Sequence, residues 1–185
     1  MAIPLQTFGL FGYQFTPGRP CALSAAVTIS ACSSLPQLGP PVTAYSAWNV
    51  FSPSGYSEQK IDDTHYKVKA TGTEATPTAR LEKIARARAA EIGVEEKQQF
   101  FKVTSVQPAF SCAKAQADYK SGGTGRSSRP VVVPDVAYAH ERTDPGFVSS
   151  TETFKALSSE IAGEAVPPEA SAAAVQQTHA GCGQG

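Results

Sequence analysis

The chain has 185 residues, 41% of them hydrophobic and 17% charged, with 16 basic side chains balancing 16 acidic ones. That length suits one domain with terminal extensions, and a formal charge near zero excludes a generally basic nucleic-acid binder as well as an acidic, solvating chain. The balance is uneven, however: residues 1–57 hold a single charge, Arg19, and the other 31 lie beyond them.

The first element is an apolar stretch free of Pro and Gly, Cys21–Ala31, eleven residues long. A bilayer-spanning helix needs about 20, whereas the apolar region of a secretory signal runs to about 7–15 behind a positive charge, here Arg19. The stretch closes on Ile29-Ser30-Ala31-Cys32. This looks like a bacterial lipobox, in which an aliphatic and two small residues precede the cysteine that becomes the mature N-terminus. The alternative is a buried apolar segment with an incidental cysteine. The lipobox reading makes residues 1–31 a lipoprotein signal peptide and Cys32 the lipidation site, its thiol taking a diacylglycerol. Ser33, in place of Asp, resembles the pattern sorted to the outer membrane of Gram-negative bacteria.

Residues 32–54 then form an uncharged Pro/Ser-rich tether, in which Pro36, Pro40 and Pro41 favour an extended, solvated chain. Tyr45, Trp48, Val50 and Phe51 are large side chains to leave in water, so part of the tether is a candidate for docking.

The structured region opens at Gly55. His65–Thr71 alternates, with Tyr66, Val68 and Ala70 on one face, and predicts a half-buried strand. Thr76 and Pro77 suit a helix N-cap and first helical position. From there to about Lys97 the spacing is helical, with Leu81, Ile84, Ala85, Arg88, Ala89 and Ile92 on one stripe.

Phe100–Val106 predicts a second strand and Val131–His140 a third, Pro134 marking an edge or bulge. Between them Ala113–Pro130 reads as a polar loop. Thr151–Ala162 suits a short helix with Phe154, Leu157 and Ile161 on one face, and residues 164–185 a frayed, low-complexity C-terminal tail. The expected fold is therefore α+β: one long helix packed on a small antiparallel sheet of about three strands. It occupies residues 55–163, between a flexible N-terminal tether and the C-terminal tail.

Gly55-Tyr56-Ser57-Glu58, Tyr66-Lys67-Val68, Gly72, Arg88-Ala89-Ala90-Glu91-Ile92 and Phe101 together resemble a family of small, mostly uncharacterised proteobacterial lipoproteins. That family has a Gly-Tyr-Ser strand, a strand closing on Gly, a helix bearing Arg-Ala-Ala-Glu-Leu and an aromatic strand. The likeness covers about residues 55–106. Two positions depart from it: Ile92 replaces the usual Leu, and Lys97 stands where a Gly usually precedes the aromatic strand. Family members commonly carry a lipobox. The resemblance implies a membrane-anchored envelope protein and no established activity.

Chemistry-bearing groups are few. Arg88 shares its stripe with Leu81, Ile84 and Ile92, where an unpaired guanidinium would be costly, so it either reaches the edge or pairs. Glu91, one turn on, is the candidate structural ion-pair partner, with Asp135 on the third strand as another.

Of the four cysteines, Cys21 leaves with the signal and Cys32 is acylated, which leaves Cys112 and Cys182 as a possible disulfide in an oxidising compartment. The frayed tail expected around Cys182 argues against the bond, and both outcomes stay open. His179 and Cys182 offer two ligands where zinc needs three or four, and His65 and His140 read as strand-surface residues. Gly122-Gly123-Thr124-Gly125-Arg126 fits neither the P-loop nor the dinucleotide fingerprint, and no nucleophile elbow is present.

The sequence thus predicts an envelope lipoprotein with a structural or interaction role, without catalytic residues, metal or cofactor. Its partners would be the membrane, through the lipid anchor, and another envelope protein or polymer; nucleic acid is excluded. It would sit at the outer membrane facing the periplasm. The alternative is a periplasmic sensing domain, of ligand or stress, that reads an anion through Arg88 or the Ala113–Pro130 loop, where Lys114, Lys120, Arg126 and Arg129 stand against Asp118.

Overall fold

A computed structural model describes residues 41–114 and 126–183, which belong to one unit, Gln37–Gly185. In chain order its elements are β1 (Gly55–Lys60), β2 (His65–Thr71), α1 (Thr78–Glu95), β3 (Phe100–Lys114), β4 (Arg126–Ala139), β5 (Val148–Ser149), α2 (Ser150–Gly163) and α3 (Pro168–Gly181). The strands form one antiparallel sheet in the order β1-β2-β4-β3-β5.

The alternation in β2 sets the two faces of the sheet. Tyr66, Val68 and Ala70 are buried, and His65, Lys67 and Lys69 are exposed. One side therefore faces the core and the other water, as antiparallel sheets allow. Phe101, Val132, Val136 and Tyr138 join the buried side from β3 and β4, and Leu81, Ile84 and Ile92 meet them from α1. The Tyr138 hydroxyl, buried among these apolar groups, donates to the Ala89 carbonyl at 2.7 Å, which ties the sheet to the helix. Burial raises the pKa of this phenol, so it remains a donor.

α1 is buried on more than one stripe, because it contacts α2 as well as the sheet. Where the two helices approach, Gly93 lies against Ser150, and a Cβ there would come within 2.8 Å of the Ser150 Cβ and 3.2 Å of the Gln98 carbonyl oxygen. Gly93→Ala, which ordinarily stabilises a helix by roughly 0.5–1 kcal/mol, is therefore expected to destabilise this one by about 1–3 kcal/mol through overpacking. Thermal denaturation checks the sign.

α1 ends with Lys97 at φ 57°, in the left-handed region that favours glycine. Gln98 N–H donates to the Gly93 carbonyl at 2.7 Å and Lys97 N–H to that of Val94 at 3.3 Å. The position where the resemblance expects Gly is thus one that a glycine would fill without strain.

The expected architecture needs correcting. The protein is a mixed α+β domain, but the described residues form three helices and five strands, not one long helix on about three strands. The sheet is larger because β1 and β5 carry little periodic signal: β1 is mostly polar, and β5 is two residues long. β3 and β4 also run past the stretches expected as strands and pair from Phe100↔Ala139 to Lys114↔Arg126.

Pro134 does not mark an edge, since β4 lies between β2 and β3. It falls instead beside a register shift of the β3–β4 ladder, between Val103↔Val136 and Ser105↔Asp135, so the bulge is the alternative that is met, and it faces a gap in the β2–β4 pairing between Lys67↔Asp135 and Ala70↔Val132. The flexible ends are corrected too. Pro168–Gly181 is helical, with Pro168 in its first turn. Of the expected tether, residues 41–54 are described and are docked from Thr43, which is 2% exposed.

Threonines dock this N-terminal stretch. Thr43 N–H donates to the Thr76 hydroxyl (3.0 Å), Thr73 N–H to the Thr43 hydroxyl (3.0 Å), and the Thr73 hydroxyl to the Pro41 carbonyl (2.8 Å). Thr76 consequently does not cap α1, whose N-cap is Pro77 with no side-chain cap bond. Ala47 then bridges Tyr56 in parallel. This brings the chain to Gly55 at φ 127°, where any side chain would collide with the Ser46 carbonyl.

Candidate functional site

The densest group of charged and aromatic side chains surrounds Arg88. Helical spacing places Glu91 and Glu95 on its side of α1, β1 brings Glu58 and Tyr56, and the docked N-terminal stretch brings Tyr45. Arg88 donates from Nη1 to Glu91 Oε2 (2.6 Å) and Glu95 Oε1 (3.0 Å), and from Nη2 to Glu58 Oε1 (2.9 Å). Its guanidinium lies 5.2 Å from the Tyr56 ring centroid. The Tyr45 hydroxyl donates to the same Glu91 Oε2 at 2.7 Å, and its ring packs tilted against that of Tyr56, with centroids 4.9 Å apart.

The electrostatics follow from this geometry. Burial pulls the Arg88 pKa down, but the bonds to Glu58, Glu95 and Glu91 outweigh it and hold the guanidinium well above its ordinary value. Burial, then the bond to Glu91, pushes the Tyr45 phenol up, and burial raises Tyr56 in the same way. Three carboxylates against one cation leave the group net acidic, with the guanidinium edges occupied and an aromatic ring on its face. It is built to lock β1, α1 and the N-terminal stretch together, and an incoming anion would meet repulsion.

The other expected site residues lie apart from this group. Asp135 does not reach Arg88: it accepts from the Ser105 hydroxyl at 2.6 Å and pairs with Lys67 at 3.6 Å. Cys112, near the end of β3, and Cys182, just after α3, are joined by a disulfide across 70 residues of sequence. His65 sits beside Asp62, whose carboxyl is held down at about 2 by the Thr64 backbone N–H and then by the imidazole. His179 lies 3.3 Å from Glu74, and His140 is exposed.

Among the described residues no three His, Cys, Asp or Glu side chains gather to hold a metal, and no helix is long and apolar enough to cross a membrane. A groove lined by Glu82, Arg86, Val103, Val106, Val132 and Pro134 contains no nucleophile paired with a base. Cys32, the signal segment and Gly122–Gly125 lie outside the described residues.

One charged centre escapes the sequence reading. Arg80 is buried at the start of α1, donating from Nε to the Thr43 carbonyl (3.0 Å), from Nη1 to Glu164 Oε2 (2.6 Å) and from Nη2 to the Ile161 carbonyl (3.4 Å). Its signal was its place four and seven residues before Ile84 and Ala87, both buried. Compared with known protein families, curated proteins and solved structures, the chain matches none.

Proposed function

We propose that the protein is a lipoprotein of the cell envelope, acylated at Cys32 and held at the outer membrane on the periplasmic side. In this reading its α+β domain has a structural or interaction role toward another envelope component and is not catalytic. The main structural support is the Cys112–Cys182 disulfide, because such bonds form and persist in oxidising compartments. The apolar leader ending in Ile29-Ser30-Ala31-Cys32 supplies the matching export address. The saturated Arg88 favours an interaction role over anion sensing, since carboxylates already occupy its donors.

Each buried CH₂ of an acyl chain contributes roughly 0.8 kcal/mol, and two or more chains anchor stably. The wild-type chain should therefore fractionate wholly with membranes, and Cys32→Ala should release it. Mass analysis of the mature N-terminus should find an acylated Cys32. An intact leader, or a Cys32→Ala variant still in the membrane fraction, would overturn the anchor.

A further inference from the structure

The described chain exposes one cluster of large apolar side chains on a tight turn. Trp48 is 47% exposed, Val50 75% and Phe51 95%, values that a folded domain ordinarily avoids for adjacent residues of this kind.

The turn is well held. Asn49 and Ser52 bridge each other, with backbone bonds of 3.3 and 3.2 Å, and Asn49 Oδ1 accepts from the Phe51 and Ser52 N–H groups at 2.9 and 2.8 Å. On its two flanks Trp48 N–H donates to the Tyr56 carbonyl (2.7 Å), and Arg129 Nη1 to the Pro53 carbonyl (2.6 Å). The fold therefore displays these side chains on a fixed backbone and places a guanidinium at their base.

We infer that the Trp48–Phe51 turn is a membrane-interface wedge: Val50 and Phe51 enter the acyl boundary of the bilayer, with Trp48 at headgroup depth. The inference rests on the lipoprotein reading above and adds a second contact to it. Three observations favour lipid as the occupant. Residues 41–57 carry no charged side chain, so nothing ionic need be desolvated on insertion, and Arg129 stands where it meets anionic headgroups. The surface is a convex turn of three side chains, far short of the about 800 Å² per partner of a stable protein interface.

Reach is the third. Eight residues separate Cys32 from Pro41, and the nine steps between them extend at most roughly 30 Å. An acylated Cys32 thus keeps the turn close to the bilayer and makes its insertion an intramolecular event of high effective concentration. Trp residues concentrate at this depth because they join an apolar ring to an N–H donor.

Trp48 is the single tryptophan of the chain, so its fluorescence reports on the turn alone. The acylated full chain, reconstituted in phosphatidylethanolamine/phosphatidylglycerol vesicles, should show blue-shifted emission quenched by lipids brominated on their acyl chains. The Val50→Ser/Phe51→Ser variant should lose both signals while still floating with the vesicles. The unacylated Cys32→Ala chain should bind the same vesicles weakly through the turn, and adding the two serines should cost it roughly tenfold or more in affinity.

A floating wild-type protein with unshifted, unquenched Trp48 would overturn the wedge and leave the anchor standing. A lipid response of the Cys32→Ala chain, alongside a wild-type Cys32 found unacylated in cells, would retain the wedge and remove the anchor. Concentration-dependent self-association through the turn, with no response to lipid, would assign the patch to a second copy and overturn the wedge. Because Val50 and Phe51 are exposed, an unchanged thermal midpoint in the serine variant verifies that its fold is intact.

Discussion

Cys112→Ser/Cys182→Ser is expected to lower the stability of the domain by up to about 4 kcal/mol, the loop-closure value for a bond spanning 70 residues. How much of that appears depends on what else holds α3. Its buried side chains are Ser171, Ala174 and Thr178, all small. The Thr178 hydroxyl reaches the Glu74 carbonyl at 3.4 Å, and the His179–Glu74 contact is exposed.

Such a helix gains little from burial and is too short to persist alone in water. Without the bond it should undock before the sheet melts. The full 4 kcal/mol is therefore a ceiling, approached only if the helix stays in place.

The measurement pairs urea unfolding with amide exchange. In the double-serine variant the amides of 168–181 should lose protection first, those of α1 and β4 should keep theirs, and the global midpoint should fall. Retained protection of α3 with an unmoved midpoint would show that packing alone secures it. Expression in a reducing cytosol should reproduce the variant's behaviour, which ties this test to the proposed compartment.

How far the fold could be read from the sequence depended on whether a segment's partners were local. β2 was legible because alternate residues face core and water, and α1 and α2 because apolar residues recur at three- and four-residue steps. The ends of β3 and β4 were not. Pro108, Pro130 and Pro134 interrupt both patterns, yet each is tolerated by a ladder whose pairings are visible only in three dimensions.

The C-terminal stretch failed for a related reason. Its Ala-rich composition has no apolar stripe to announce a helix, and the docking information resides in Cys182 and in Gly181, which leaves room for the Phe110 ring. At the candidate site, Arg88 was recognisable by its place on an apolar stripe. Its company of Glu58, Tyr45 and Tyr56 comes from segments 30 or more residues away, beyond the reach of helical periodicity.

The second large effect is expected at the buried pair of Arg80 and Glu164, which joins α1 to the residue after α2 and, through the Thr43 carbonyl, to the N-terminal stretch. Glu164→Ala should cost about 3 kcal/mol, the lower end for breaking a buried pair, because it strands a guanidinium only 8% exposed. Arg80→Met should cost less, about 2 kcal/mol: the surviving Glu164 is about a quarter exposed and keeps Lys83 at 2.8 Å, so its charge remains compensated. Removing both charges should be milder than the sum of the two, and a double-mutant cycle in urea reads that coupling directly.

Acid gives an independent test. The Lys83 bond lowers the Glu164 pKa against the opposing effect of burial, and the Arg80 bond lowers it further. The folded value therefore lies below the unfolded one of about 4.3. Between the two the unfolded chain binds more protons, so this contribution is complete above pH 5 and disappears as pH falls through the lowered folded value. Glu164→Gln should flatten the acid limb of the stability profile, and an unchanged slope would mean that the clamp adds nothing. Because Arg80 also grips Thr43, opening the clamp should expose the amides of 43–45 before the core unfolds, loosening the segment that leads back to Cys32.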